Sequence, residues 1–170
     1  MLIIEPAVHR DKRGYFLESW NQEAFSAAGL SMPFVQDNQS GSAKNVLRGL
    51  HVQVPPFAQG KLVRAVSGSV LDVVVDLRKR EPTFGKHLRI VLDAKTGRML
   101  YIPPGFAHGF LSLEDNSVFA YKCTMPYRAD CDRVIRWNDP ALGIDWGITN
   151  PLLSEKDRTA PPLSAFNNPF

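Results

Sequence analysis

Short β-rich segments, separated by only a few residues each, run through most of this chain and limit the folds open to it. Each is rich in branched and aromatic residues and is bounded by Gly, Pro or Asn, a pattern typical of strands and turns. Most of the intervals are too short for helices, which excludes alternating βαβ units and predicts an antiparallel sandwich or barrel. The predicted strands cover residues 14–20, 46–53, 62–66, 70–77, 87–92, 99–102, 109–113 and 118–124.

Only two helical segments are predicted. Residues 23–28 favour a helix that Asn21 can cap, and Gly29 can end it in the left-handed conformation. Near the C-terminus, Ser154 and Asp157 have the spacing of a capped helical turn. The Ser-Gly-Ser sequence at 67–69 is expected to form a tight hairpin between two strands.

One predicted strand has two unlike faces. From residue 69 to residue 78 the odd positions are almost all apolar, whereas the even positions mix Val with Asp72, Asp76 and Arg78. A strand with one face in water would have a fully polar second face. Both faces are therefore expected to be covered, the mixed face by a ligand-holding cavity and the apolar face by another sheet, from a second subunit.

Composition excludes several classes of protein. The chain of 170 residues has 20 Lys and Arg against 17 Asp and Glu, and a net charge of +3 is too small for a concentrated nucleic-acid-binding face. No apolar run approaches the ~20 residues of a membrane span, and the N-terminus lacks a signal peptide's basic start. Two cysteines are too few for a disulfide scaffold. We expect a single cytoplasmic domain over 1–170 with no nucleic-acid or membrane partner.

Of the four histidines, His51 lies in the most informative setting. It follows a Gly within a predicted strand, where a buried histidine satisfied by hydrogen bonds is one interpretation. The other is a functional imidazole, because nearby cations that are costly in a core suit a phosphate-bearing ligand. Those cations are Arg48, Lys61 and Arg64.

His108 belongs to a Pro-x-Gly-x-x-His sequence similar to the second half of the cupin signature, in which the histidine commonly binds a metal. The first half, a His-x-His pair followed by an acid, is replaced here by His51-x-Gln53. A transition-metal site takes several ligands in a defined geometry, so no metal is expected.

Tyr121 permits two interpretations, whereas the sequence around Asp157 favours one. Tyr121 shares a predicted strand face with Phe119 and Cys123, which fits a core tyrosine as well as a phenol acid facing a cavity. Asp157 is explained by the capped turn alone. No Gly-rich phosphate loop, Gly-x-Ser-x-Gly elbow or dinucleotide fingerprint is present.

Taken together, ten stretches in order resemble the dTDP-4-dehydrorhamnose 3,5-epimerase family of cupin-like enzymes over nearly the whole chain. Two of them are Val-Leu-Arg-Gly-Leu-His-x-Gln at 46–53 and Leu-Ser-Glu-Lys-Asp at 153–157. No one stretch is decisive, but all of them with matching spacing are specific. The others lie at 11–18, 34–40, 59–64, 72–78, 82–86, 104–110, 121–124 and 135–140.

The resemblance implies a mainly all-β fold, an antiparallel jelly-roll or cupin-like barrel with a few short helices. It implies epimerisation of a dTDP-4-keto-6-deoxy sugar at carbons 3 and 5, without a cofactor, in a homodimer. In the family, a strand that usually precedes the Leu-Ile-Ile-Glu-Pro segment helps to join two subunits. This sequence begins at that segment, so the dimer is expected to be built differently.

The resemblance also assigns roles to individual residues. His51 would be the general base, oriented by Asp157, with Tyr121 as general acid and Lys61 stabilising the enolate. Asp72 would support the imidazole of His108. The substrate would be held by Arg13, Phe16, Glu18, Gln36, Asp37, Asn38, Arg48, Lys61, Asp72, His108, Tyr127, Asp132 and Lys156. Asp132 stands where a Glu is common in the family.

Three alternatives remain open at this point. A close relative would epimerise only one carbon of a related dTDP-keto-sugar. A metal-dependent cupin enzyme would hold stoichiometric metal. A non-catalytic carbohydrate-binding barrel would use Arg and aromatic residues but would have no use for His51, Tyr121 and Lys61 together.

Overall fold

This computed structural model describes residues 1–170, which form two five-stranded sheets that face each other, together with a separate β-hairpin. The strands are β1 (Leu2–Ile4), β2 (Val8–Asp11), β3 (Gly14–Leu17), β4 (Gln36–Ser42), β5 (Leu47–Gln53), β6 (Lys61–Ser67), β7 (Ser69–Asp76), β8 (His87–Asp93), β9 (Met99–Ile102), β10 (Phe106–Ser112), β11 (Ser117–Cys123) and β12 (Asp132–Val134). The helices are α1 (Gln22–Ala27) and α2 (Glu155–Arg158), and a 3-10 turn covers Leu163–Ala165.

The order of strands is β1-β9-β6-β11-β4 in the first sheet and β12-β5-β10-β7-β8 in the second. Every pair of neighbouring strands in the two sheets is antiparallel, as are β2 and β3 in the hairpin. This jelly-roll arrangement with few short helices confirms the predicted fold class. No helix has the length and apolar character needed to cross a membrane.

The expected hairpin at residues 67–69 is wrong. β6 pairs with β9 and β11 in the first sheet, whereas β7 pairs with β8 and β10 in the second. Gly68 is therefore the corner at which the chain changes sheets. Its φ of +68° favours glycine, and a Cβ at this position would lie 2.5 Å from the Ser117 hydroxyl, so a larger residue would not fit.

Strand β7 is buried along its whole length, which confirms that both of its faces are covered. The even face points between the sheets, where Val70 and Val74 pack with Phe119 of the first sheet. The odd face carries Leu71, Val73 and Val75. It packs on the chain's own C-terminal segment, through Trp137, Leu142 and Trp146. The expectation of a covering sheet from a second subunit is thus wrong, because residues after β12 fold back over this face.

Helix α1 covers the outer face of the first sheet and matches its prediction. The Asn21 side chain accepts hydrogen bonds from the main-chain N–H groups of Glu23 and Ala24, which caps the helix. Gly29 follows with a φ of +90°. Phe25 packs in a cluster with Met99 and other residues of the first sheet, so the helix is anchored by burial of its apolar side.

Strands β5 and β10 approach each other unusually closely at two glycines. A Cβ on Gly49 would lie 2.5 Å from Cα of Gly109, and Gly49 has a φ of +130°. Only glycine tolerates both conditions. The register of the pair shifts at this point and places His51 directly opposite His108. The close approach therefore aligns the two histidines that the sequence singled out.

Candidate active site

A cavity of about 240 Å³ lies between the sheets and receives side chains from both. His51 comes from the second sheet, whereas Lys61 and Tyr121 come from the first. The structure thus brings together three of the predicted catalytic residues, which come from three different strands. The lining residues are Gln36, Asn38, His51, Val52, Gln53, Gln59, Lys61, Tyr121, Cys123, Tyr127 and Asp132.

Asp157 orients His51 through a hydrogen bond to its imidazole. Its Oδ1 lies 2.6 Å from Nε2 of His51, and its side chain is only 4% exposed. The carboxylate also accepts hydrogen bonds from the Ser154 hydroxyl, at 2.7 Å, and from the Gly49 main chain. Burial alone would raise the pKa of Asp157, but these hydrogen bonds outweigh it and lower the pKa. An ionised carboxylate fixes one imidazole nitrogen as a donor, which leaves the other free to act as a base.

The predicted cap and the predicted catalytic contact both occur at α2. The Ser154 hydroxyl accepts the main-chain N–H of Asp157, as the capped turn requires, while it donates to the carboxylate of the same residue. A single turn of helix thus places Asp157 against His51, 106 residues away in sequence.

Asp157→Asn should weaken the folded state in a pH-dependent way. Because the folded pKa of Asp157 is lowered, its ionisation stabilises the fold above the ordinary pKa of 3.8, and this contribution is lost as the pH falls below that value. The difference in melting temperature between wild type and variant should therefore be larger at pH 6 than at pH 3. Asp145→Asn, at a carboxylate 76% exposed, controls for the loss of one charge. An Asp157→Asn difference that is the same at both pH values would contradict this prediction.

Lys61 is a half-buried cation without a hydrogen-bond or ion-pair partner in the protein. Burial lowers its pKa, although Cys123, Asp132 and Asp72 favour the charged form. Its Nζ lies 5.7 Å from the centre of the Tyr121 ring. An ammonium group placed in this way can stabilise negative charge on a ligand in the cavity.

Tyr121 is held in its protonated form. Burial raises the pKa of this phenol, and the nearby charge of Arg48 only partly opposes the effect. Arg48 belongs to β5, and its guanidinium donates to the Ser42 hydroxyl and to the Gly41 carbonyl at the end of β4. A neutral phenol that faces a cavity can donate a proton.

A second histidine–carboxylate pair lies beside the first. Nε2 of His108 is 2.8 Å from Oδ2 of Asp72, and both side chains are buried. This is the contact expected of Asp72. Its other oxygen, Oδ1, is buried without a hydrogen-bond partner in the protein. No group of three or more His, Cys, Asp or Glu side chains is arranged to hold a metal ion.

The rim of the cavity is closed by a network around Asp132. Its carboxylate accepts hydrogen bonds from the Tyr127 hydroxyl, at 3.1 Å, and from the Lys156 ammonium. Lys156 precedes Asp157 in α2, so the rim and the base share one helical turn. The three predicted binding residues Tyr127, Asp132 and Lys156 thus lie together.

The structure does not bring every predicted binding residue to the cavity, and Asp37 is one that lies outside it. Side chains alternate along β4, so Gln36 and Asn38 point inward while Asp37 is exposed and pairs with Lys122.

Three more predicted binding residues lie on or beside the β2–β3 hairpin, away from the cavity. Arg13 pairs with Asp11 and is 84% exposed, and the Phe16 side chain is 68% exposed. Glu18 accepts a hydrogen bond from Asn21, ahead of α1. Within one copy of the chain, these residues do not belong to the site.

Sequence reasoning assigned no role to four residues that line the cavity, Val52, Gln53, Gln59 and Cys123. Two of them could have been found by alternation, because Gln53 shares a strand face with His51 and Cys123 shares one with Tyr121. Gln59 lies in the connection between β5 and β6, and no periodic signal marks it.

Comparison with known proteins gives consistent matches. The family model described as dTDP-4-dehydrorhamnose 3,5-epimerase matches residues 1–165. A Shigella flexneri protein of that name is 53% identical over 92% of this chain and 87% of its own length. The Bacillus anthracis epimerase crystal structure, with TDP and PPi bound, is 44% identical with a TM-score of 0.93, covering 95% of this chain and 93% of that one. The structure of the Legionella pneumophila enzyme, in complex with dTDP-4-keto-L-rhamnose, is also 44% identical with a TM-score of 0.93. The match covers 97% of this chain and 88% of that one.

Proposed function

The chain belongs to the dTDP-4-dehydrorhamnose 3,5-epimerase family, and we propose that residues 1–170 form one catalytic domain that epimerises dTDP-4-dehydro-6-deoxy-D-glucose at carbons 3 and 5. The chain is an isomerase of that family, and the product of the proposed reaction is dTDP-4-dehydro-L-rhamnose. The observation that carries the proposed site is a carboxylate-held imidazole that shares one cavity with a neutral phenol and an unpaired ammonium.

The first chemical step is removal of a proton by His51. Hydrogens on carbons 3 and 5 are acidified by the 4-keto group, and loss of one leaves an enolate with its charge on the carbonyl oxygen. Lys61, which has no partner in the protein, stabilises this charge in a partly water-free cavity. Asp157 keeps the base oriented and stabilises the imidazolium that forms.

Inversion requires the proton to return from the opposite face of the ring. His51 and Tyr121 lie on opposing sheets, which supports a role for Tyr121 as the acid that delivers this proton. After one inversion the imidazole carries an extra proton and the phenol lacks one, so exchange with solvent resets both groups. The same pair acts on the second carbon when the ring is held suitably, and the reaction needs no cofactor.

A second copy of the chain is proposed to complete the binding site. Arg13 and Phe16 match binding positions by resemblance, yet they are exposed on a hairpin that pairs with neither sheet. An exposed cation and an exposed aromatic side chain suit a diphosphate and a base or sugar. A homodimer that places this hairpin against the partner's cavity would supply both groups.

Proton NMR of dTDP-4-keto-6-deoxyglucose in deuterated water tests the function directly. With the protein present, deuterium should replace hydrogen at both carbon 3 and carbon 5, because each is deprotonated in turn. Exchange at one carbon alone would identify a single-carbon epimerase. A complete lack of exchange, with a folded protein, would contradict the proposal.

A further inference from the structure

The loop from β11 to β12 crosses from one sheet to the other at the rim of the cavity and carries Tyr127. No main-chain group from Met125 to Tyr127 bonds to another main-chain group. A loop without such bonds is free to change shape unless side chains hold it. What fixes Tyr127 must therefore be sought among the side chains around it.

Three glutamine side chains supply those bonds. Nε2 of Gln59 donates to the Met125 carbonyl at 2.7 Å, and Oε1 of Gln36 accepts the Tyr127 N–H at 2.7 Å. Gln53 bonds on both sides of Tyr127. Its Nε2 donates to the Pro126 carbonyl at 2.9 Å, and its Oε1 accepts the Arg128 N–H at 2.8 Å.

The amide is the group that this arrangement needs. A side-chain amide presents two donors and an acceptor at one end, so that Gln53 can bond carbonyls and an N–H at the same time. Gln53 also donates to the Phe57 carbonyl and is 5% exposed, which leaves its amide no alternative partner in solvent. The three glutamines come from β4, β5 and the β5–β6 connection, so the loop is tied to both sheets.

The bonded loop presents Tyr127 to the cavity. Its main chain is fixed at and on both sides of the residue, its hydroxyl bonds to Asp132, and its side chain is 55% exposed. We infer that Gln53 and Gln59 are positioning residues, which set Tyr127 to hold the substrate at the cavity rim. The inference rests on the proposed function, because it assigns Tyr127 a contact with that substrate.

Gln59→Met and Gln59→Glu test the inference at the half-buried member of the set. Both variants lose the donor to Met125, while only the second adds charge, so an effect shared by both belongs to the lost hydrogen bond. We expect KM to rise about tenfold with little change in kcat, since losing a partly buried hydrogen bond costs roughly that factor. Gln39→Glu, exposed on the outer face of β4, is the matched control and should leave KM unchanged.

Two further measurements separate positioning of Tyr127 from general support of the fold. Amide hydrogen exchange at Tyr127 and Arg128 should quicken in both Gln59 variants, while the melting temperature stays near that of wild type. In a Tyr127→Ala background, Gln59→Met should then raise KM less than about twofold, because the residue through which it acts is gone.

Unchanged KM in both Gln59 variants of an active protein would overturn the inference. It would also be overturned if Gln59→Met raised KM by the same factor in the Tyr127→Ala background as in wild type. An inactive wild type would instead sink the proposed function.

Discussion

His51→Asn should lose turnover by a factor on the order of 10³ or more while keeping its affinity for thymidine diphosphate. The cavity offers one imidazole whose partner carboxylate is ionised and buried, and asparagine of similar size cannot accept the substrate proton. In the proposed complex the diphosphate and base contact side chains other than His51, so binding should depend little on the imidazole. A loss confined to kcat is therefore the expected signature of a base.

Turnover measured by NMR and binding measured by calorimetry check this prediction together. His87→Asn, on β8 and outside the cavity, is the matched control and should behave as wild type. Near-normal epimerisation by His51→Asn would show that another group removes the proton. Loss of nucleotide binding along with turnover would show that the substitution disturbs the site as a whole.

The sheet interior was predictable where the sequence carries a strand pattern. β7 and β9 follow from their branched and apolar residues, and α1 follows from Asn21 and Gly29. β4 was missed because its sequence, Gln-Asp-Asn-Gln-Ser-Gly-Ser, has no branched or aromatic residue. It becomes a strand through its pairing with β11, which local propensity cannot reveal.

The candidate site likewise has residues that local sequence can identify and contacts that it cannot. His51 could be singled out locally, but its contact with Asp157 spans 106 residues and was implied only by family resemblance. Asp37 was grouped with Gln36 and Asn38 because β4 was not predicted as a strand, so the alternation that separates their side chains could not be used. The role of Gln53 and Gln59 in holding the Tyr127 loop was missed, since their partners are main-chain groups that no side-chain pattern marks.

Tyr121→Phe separates removal of a proton from its return. The variant lacks the phenol whose pKa is raised by burial, so it cannot deliver a proton from the first sheet. His51 and Lys61 remain, so the enolate still forms and can be reprotonated by His51 on its original face. We expect the rate of net inversion to fall by roughly 10²–10⁴-fold, the usual contribution of a positioned acid. The rate of deuterium exchange at the same carbon should fall by less.

The ratio of the two rates is the informative quantity, because it is independent of how much protein is active. Tyr101→Phe, at a second buried phenol on the outer face of the first sheet, is the matched control and should leave the ratio unchanged. If exchange and inversion fell equally in Tyr121→Phe, the phenol would act before or during proton removal instead. A group that only holds the ring would give that equal loss, whereas an acid on the opposite face of the ring must slow inversion more than exchange.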